Sequence, residues 1–174
     1  MSEKIIKFKK LDEKAIIPKY QTPDSAGFDF HAVVGKNDHG DYGKIYVDCF
    51  GADGYIINEG FILLKPGEQK IIKTGLAVEI PESWQMEIRP RSGLAAKNGI
   101  TITNSPGTID SSYLDQIMII LFNMGKKNFI IKNGDRIAQG VMMPAPQFNI
   151  IEVAEFSQEA LKNDRGGGFG STGK

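Results

Sequence analysis

The sequence predicts an all-β fold, a sandwich or barrel of short strands with one short helix. Three observations carry that reading. Apolar and polar residues alternate over short runs, the period of a strand with one buried face. The runs are separated by Gly, Pro and Asn turn signals rather than by long amphipathic stretches. Only two segments, 92–97 and the weaker Gln158–Lys162, have helical character.

Taken in order, Gly27-Phe28-Asp29-Phe30 alternates, with a charge at Asp29 that suits an outward-facing strand position. Phe61–Leu64 and residues 70–73 bracket the turn signal Pro66-Gly67. Trp84–Arg89 alternates cleanly and leads through Pro90 into Arg91-Ser92-Gly93. The helix expected over 92–97 is closed by Asn98-Gly99, a C-terminal stop that exploits the left-handed tolerance of glycine. Residues 100–103 form a β-branched strand, and 117–122 is an apolar run short enough for a fully buried one. Phe129–Lys132 and residues 136–139 flank Asn133-Gly134-Asp135, the pattern of a hairpin turn. Residues 35–60 break this regularity: glycine-rich and mixed in charge, they read as an insertion with one hairpin, 44–47 to 55–57. The whole of 1–174 reads as one domain, with 164–174 a glycine tail.

Composition narrows the function. Lys+Arg and Asp+Glu both total 21, so no net field draws the chain to nucleic acid or membrane, and anion binding must rest on local groups. The single cysteine, Cys49, rules out an intramolecular disulfide, and two histidines, His31 and His39, are few for a zinc cage. No secretion signal and no apolar run of spanning length is seen, so a cytoplasmic location is expected.

Three places concentrate chemistry. Arg91-Ser92-Gly93 at a helix start offers backbone N–H groups and a guanidinium fork to an anion, although Ser92 also suits a plain helix cap. Asp110, in Gly107-Thr108-Ile109-Asp110-Ser111-Ser112-Tyr113, sits in a tight connection between apolar runs; it suits either a turn or a base that orients water. The Arg165–174 tail adds a second set of anion-seeking groups. One carboxylate between two anion grips suggests hydrolysis of a nucleoside polyphosphate. A free aspartate, with a pKa near ~3.9, is a weak base and needs cationic help at phosphorus.

In this order the pieces resemble the trimeric-type deoxyuridine triphosphatase (dUTPase) family. Five motifs carry the resemblance: Tyr20-Gln21-Thr22-Pro23-Asp24-Ser25-Ala26-Gly27-Phe28-Asp29; Arg89-Pro90-Arg91-Ser92-Gly93-Leu94; Asn104-Ser105-Pro106-Gly107-Thr108-Ile109-Asp110-Ser111-Ser112-Tyr113; Gly134-Asp135-Arg136-Ile137-Ala138-Gln139; and the tail from Arg165 to Gly173. The resemblance implies a jelly-roll-like homotrimer with sites between subunits, acting on dUTP with Mg²⁺. It makes Asp110 the group that activates water at the α-phosphorus. Arg91, Ser92, Gly93 and Gln139 would hold phosphates, and Arg165, Ser171 and Thr172 would close over the β and γ positions. Asn104, Gly107, Thr108, Ile109 and Met118 would read uracil in a hairpin around the third motif. Tyr113 would lie against deoxyribose, Phe169 would stack on the base, and Asp29 would reach Mg²⁺ through water. The family usually has Asp where Ser112 stands, and a tail one residue longer.

Two other readings stand beside it. A dCTP deaminase shares the expected fold and phosphate grip but needs a Glu in the strand after the third motif, and residues 116–122 contain none. A regulatory protein of the same fold would instead use 35–60 to contact a protein partner.

Overall fold

The computed structural model describes residues 4–35 and 60–164. Most of the expected insertion, and the tail with Arg165, Phe169, Ser171 and Thr172, lie outside the described residues. In chain order the elements are β1 (Lys7–Lys10), β2 (Gly27–His31), β3 (Phe61–Leu64), β4 (Gln69–Lys73), β5 (Leu76–Glu79) and β6 (Trp84–Arg89). They continue with α1 (Ser92–Asn98), β7 (Ile100–Ile102), β8 (Gly107–Ile109), β9 (Met118–Asn123), β10 (Phe129–Lys132), β11 (Arg136–Pro144) and α2 (Gln158–Lys162). Neither helix buries a residue, so the fold rests on strands, as the alternation requires.

The strands form a four-stranded sheet ordered β2-β11-β6-β8, a three-stranded sheet β4-β9-β7, and the pairs β1-β5 and β3-β10, all antiparallel. The described strands close no barrel. One apolar cluster draws on both larger sheets, from Phe28, Phe30, Met86 and Ile88 to Ile72, Ile102, Ile119 and Leu121. Phe8, Phe28 and Phe30 meet edge-to-face at centroid distances of 5.8–6.1 Å, the geometry aromatic quadrupoles favour. They pack over Gly140, where a Cβ would lie 2.7 Å from the Phe28 ring and 2.8 Å from the Phe30 ring.

The structure corrects the hairpin read from Asn133-Gly134-Asp135, and the Pro66-Gly67 signal is likewise a turn between sheets. The Pro66-Gly67 and Asn133-Gly134-Asp135 turns do not close hairpins; each carries the chain from one sheet to another. The second turn is met by the residues that follow β2: Gly134 N–H donates to Ala32 O, Ala32 N–H to Asp135 O, and Val34 N–H to Asn133 Oδ1. The turn is also closed locally, Asp135 N–H donating to Lys132 O and Lys132 N–H to Asp135 Oδ2, while β10 pairs with β3.

The connection carrying Asp110 is likewise not tight. β7 and β9 pair with each other, and residues 103–117 run out between them far enough for β8 to join β6 in the other sheet. The helix begins as expected and ends at Gly99, whose φ of 70° is the left-handed stop anticipated for Asn98-Gly99. Its N-cap is Arg91 rather than Ser92, and no side chain caps it.

Candidate active site

The first half of the site grows from the four-stranded sheet. Alternation along β2 sends Phe28 and Phe30 into the core and leaves Asp29 on the opposite face. Cross-strand pairing then lines up Asp29, Gln139 and Arg89 in one row across β2, β11 and β6. Arg91, just beyond β6, turns back onto that row. Its Nε donates to Asp29 Oδ1 at 2.9 Å and its Nη1 to Arg136 O at 3.0 Å. Arg136 Nη1 donates to the other Asp29 oxygen at 3.2 Å. Gln139 does not simply face solvent: its amide nitrogen donates to Pro90 O at 2.8 Å and ties β11 to the start of the Arg91-Ser92-Gly93 turn. Arg91, Ser92, Gly93, Gln139 and Asp29 are therefore brought together within one chain.

His31 borders this cluster. Its Nδ1 is buried without a hydrogen-bond partner among the described residues. Burial pulls its pKa below the ordinary 6.5; the Asp29 carboxylate opposes that pull, and the Arg136 and Arg91 charges add to it.

The second half lies at the opposite end of β6. Ile109 pairs with Met86, so Asp110 emerges beside the Trp84 end of that strand. It lines an open cleft of about 650 Å³ with Glu82, Trp84, Ser111, Ser112 and Gln147. No described residue donates a hydrogen bond or forms an ion pair to its carboxylate, whose backbone O accepts from Tyr113 N–H at 3.1 Å. Tyr113 is half-buried, its hydroxyl donating to Gln116 O at 2.9 Å. Gly107 is buried beside the Asn104 amide, where a Cβ would sit 3.2 Å from Asn104 Nδ2. Asn104 and Thr108 are exposed, Ile109 is half-buried, and Met118 opens β9 at 46% exposure.

The two halves do not meet. From the pairing register Asp110 lies opposite the Gln85 level of β6, and Arg91 follows that strand's other end, so roughly 15–20 Å of extended chain separates them. A nucleoside triphosphate bound by the Arg91 cluster does not bring its α-phosphorus to Asp110 of the same chain.

The comparisons with known proteins point to one family. The family model described as dUTPase matches residues 58–173. The deoxyuridine 5'-triphosphate nucleotidohydrolase of Nautilia profundicola is 45% identical over 170 residues, covering 97% of this chain and 99% of that protein. The chain belongs to the dUTPase family. A Clostridium tetani protein of the same name is 42% identical over 175 residues, with both chains fully covered. Among solved structures, the dUTPase of Staphylococcus bacteriophage 80alpha superposes with a TM-score of 0.71 at 23% identity, over 98% of this chain and 99% of that one. A dUTPase from phage phi11 of S. aureus, described with a structural Mg(II) ion, gives 0.68 at 22%, over 87% and 98%. At these identities the structures show that the all-β fold is shared. For a member of the dUTPase family, two features escaped the sequence reading: Arg136 on the Asp29 face, and Glu82, Trp84 and Gln147 around Asp110. No spacing rule marks either, because both depend on which strands pair. Ser83, between Glu82 and Trp84, adopts a φ of 62°, a left-handed conformation that few non-glycine residues take. No helix among the described residues is long and apolar enough to cross a membrane.

Proposed function

We propose that this chain hydrolyses dUTP to dUMP and pyrophosphate in sites built between copies of itself, in a homotrimer. The observation that carries the proposal is the separation just described. A carboxylate without a partner among the described residues faces a wide cleft at one end of the sheet, and a preassembled guanidinium cluster stands at the other. Each is half of a hydrolytic site, and a neighbouring copy supplies the missing half.

In the reaction, Asp110 orients a water molecule and accepts its proton as the water oxygen bonds to the α-phosphorus. The bond from the α-phosphorus to the bridging oxygen breaks, and pyrophosphate leaves with that oxygen and its electron pair. Arg91, the Ser92-Gly93 turn and Gln139 hold the phosphates in line, and Ser92 lies near the departing oxygen. Arg165, Ser171 and Thr172 close over the β- and γ-phosphates, and Phe169 covers the base. Asn104 and the backbone from Gly107 to Ile109 read the uracil edge with Met118 nearby. Tyr113 packs against deoxyribose and leaves a 2′-hydroxyl without a partner, an expense of about 1–3 kcal/mol against UTP.

The residues present fit Mg²⁺ in a limited way. Among the described residues, no three His, Cys, Asp or Glu side chains converge to hold a metal. Each Asp29 oxygen already accepts one guanidinium and keeps a second lone pair. That suits an outer contact through water, with the substrate's own oxygens as the main ligands. Bound there, the ion would neutralise triphosphate charge and make phosphorus more electrophilic.

Subunit mixing tests the arrangement. Asp110→Asn and Arg91→Ala should each lower turnover by about 10²-fold or more. After the two are unfolded and refolded together, about one site in four should pair an intact Asp110 with an intact Arg91 and recover activity. No recovery would mean that both residues act from one chain and would reject the intersubunit site.

A further inference from the structure

We propose that Arg136 is a positioning residue of the phosphate grip, acting on Arg91 through Asp29. The inference rests on the reading of Arg91 as a phosphate-binding group.

A bulge marks the start of β11. The pairing of β11 with β2 slips between Arg136 and Ala138: Ala138 lies opposite Phe30, yet Arg136 lies opposite His31. Ile137 is the extra residue, and both it and Ala138 are buried. Without the slip, strand alternation would give Arg136 the parity of Ala138 and aim it into the core. With it, Arg136 stands on the face of Asp29 and His31, the re-aiming that bulges produce beside functional sites.

What Arg136 does there follows from charge and donors. Asp29 carries one negative charge, 15% of its side chain is exposed, and each oxygen accepts from a different arginine. If Arg91 alone faced Asp29, the two charges would cancel and the carboxylate would draw the guanidinium away from a ligand anion. Arg136 occupies the second oxygen, so the cluster keeps a net positive charge. Arg136 also holds Arg91 directly, since its backbone carbonyl accepts from Arg91 Nη1. Arg91 is thus fixed by two protein acceptors, one at Nε and one at Nη1, and its remaining N–H donors, both on Nη2 and the second on Nη1, have no partner among the described residues. Bidentate capture of a phosphate needs that kind of preset fork. The Arg136 side chain is 50% exposed against 24% for Arg91, in keeping with an outer support rather than the ligand contact itself.

The test uses inorganic pyrophosphate as the probe, measured by calorimetry on the intact oligomer in chelator so that no metal takes part. Circular dichroism and sizing first confirm that every variant folds and assembles. Arg136→Gln should weaken pyrophosphate binding about tenfold, the scale of one charge-assisted hydrogen bond. Arg136→Lys, which keeps the charge and reaches the same oxygen, should recover most of that loss. In an Asp29→Asn background, Arg136→Gln should have almost no further effect, because the coupling runs through the carboxylate. Equal losses in both backgrounds would show that Arg136 touches the anion itself and would overturn the proposal. Unchanged binding in Arg136→Gln would overturn it as well. Arg91→Ala separates the two levels: if that variant binds pyrophosphate like the parent, the phosphate grip itself is wrongly placed.

Discussion

Replacing Asn123 with alanine should cost this fold about 3–4 kcal/mol. Asn123 closes β9 and is fully buried. Its Nδ2 donates to Leu64 O and to Lys127 O, and its Oδ1 accepts from Gly125 N–H, each at 2.9 Å. One amide therefore ties the end of β3, the turn after β9 and the approach to β10. Alanine leaves two carbonyls and one N–H without partners, at about 1 kcal/mol each. The vacated amide volume adds about 1 kcal/mol where neighbours do not collapse. Water reaching the outer groups at Lys127 and Gly125 trims the sum. Thermal unfolding at fixed protein concentration should show the midpoint falling by roughly 6–16 °C, at 2–4 °C per kcal/mol for a chain of this size. Concentration is held constant because the proposed homotrimer would contribute to apparent stability. Asn123→Asp should do no better: it keeps the acceptor but turns a carboxylate toward two carbonyl oxygens. A loss below about 1 kcal/mol for Asn123→Ala would refute the view that this side chain ties the end of β3 to the connection between β9 and β10.

Two further predictions address packing and pH. Gly140→Ala forces a Cβ to within 2.7–2.9 Å of the Phe28 and Phe30 rings and Met86 Sδ, so stability should drop by about 1–3 kcal/mol; an unchanged thermal midpoint would contradict that crowding. His31 has a folded pKa below 6.5, so the folded state disfavours its charged form. Its neutral form contributes fully above about 6.5, and stability is lost as pH falls from there toward the folded value, because the unfolded chain takes up the proton first. His31→Gln should flatten the decline in denaturation midpoint as pH falls below about 6.5, and an equally steep decline in the variant would exclude His31 as its source.

Strand positions were readable because alternation and burial report the same thing. Trp84–Arg89 and Phe61–Leu64 form where their patterns place them, and Gly99 ends the helix as its missing Cβ allows. Pairing was not readable. The Asn133-Gly134-Asp135 signal says only that the chain turns, while Ala32 and Val34, which bind the turn beside β2, are far away in sequence. The bulge at 136–138 is hidden for a related reason. Ile137 and Ala138 in succession look like any apolar pair, and only the partner strand reveals which residue is extra. In the site, Arg91 and Asp110 were named from local chemistry, and the roles of Asp29 and Gln139 from the order of the five motifs. Their division between two ends of one sheet depends on the β6-β8 register, which no local pattern encodes.

The most direct test of the account is product analysis with the purified protein and Mg²⁺, offering dUTP, dCTP, dTTP and UTP in separate reactions resolved by ion exchange. The account predicts dUMP and pyrophosphate from dUTP, with little turnover of the other three. Deamination of dCTP, or no turnover of dUTP, would contradict it.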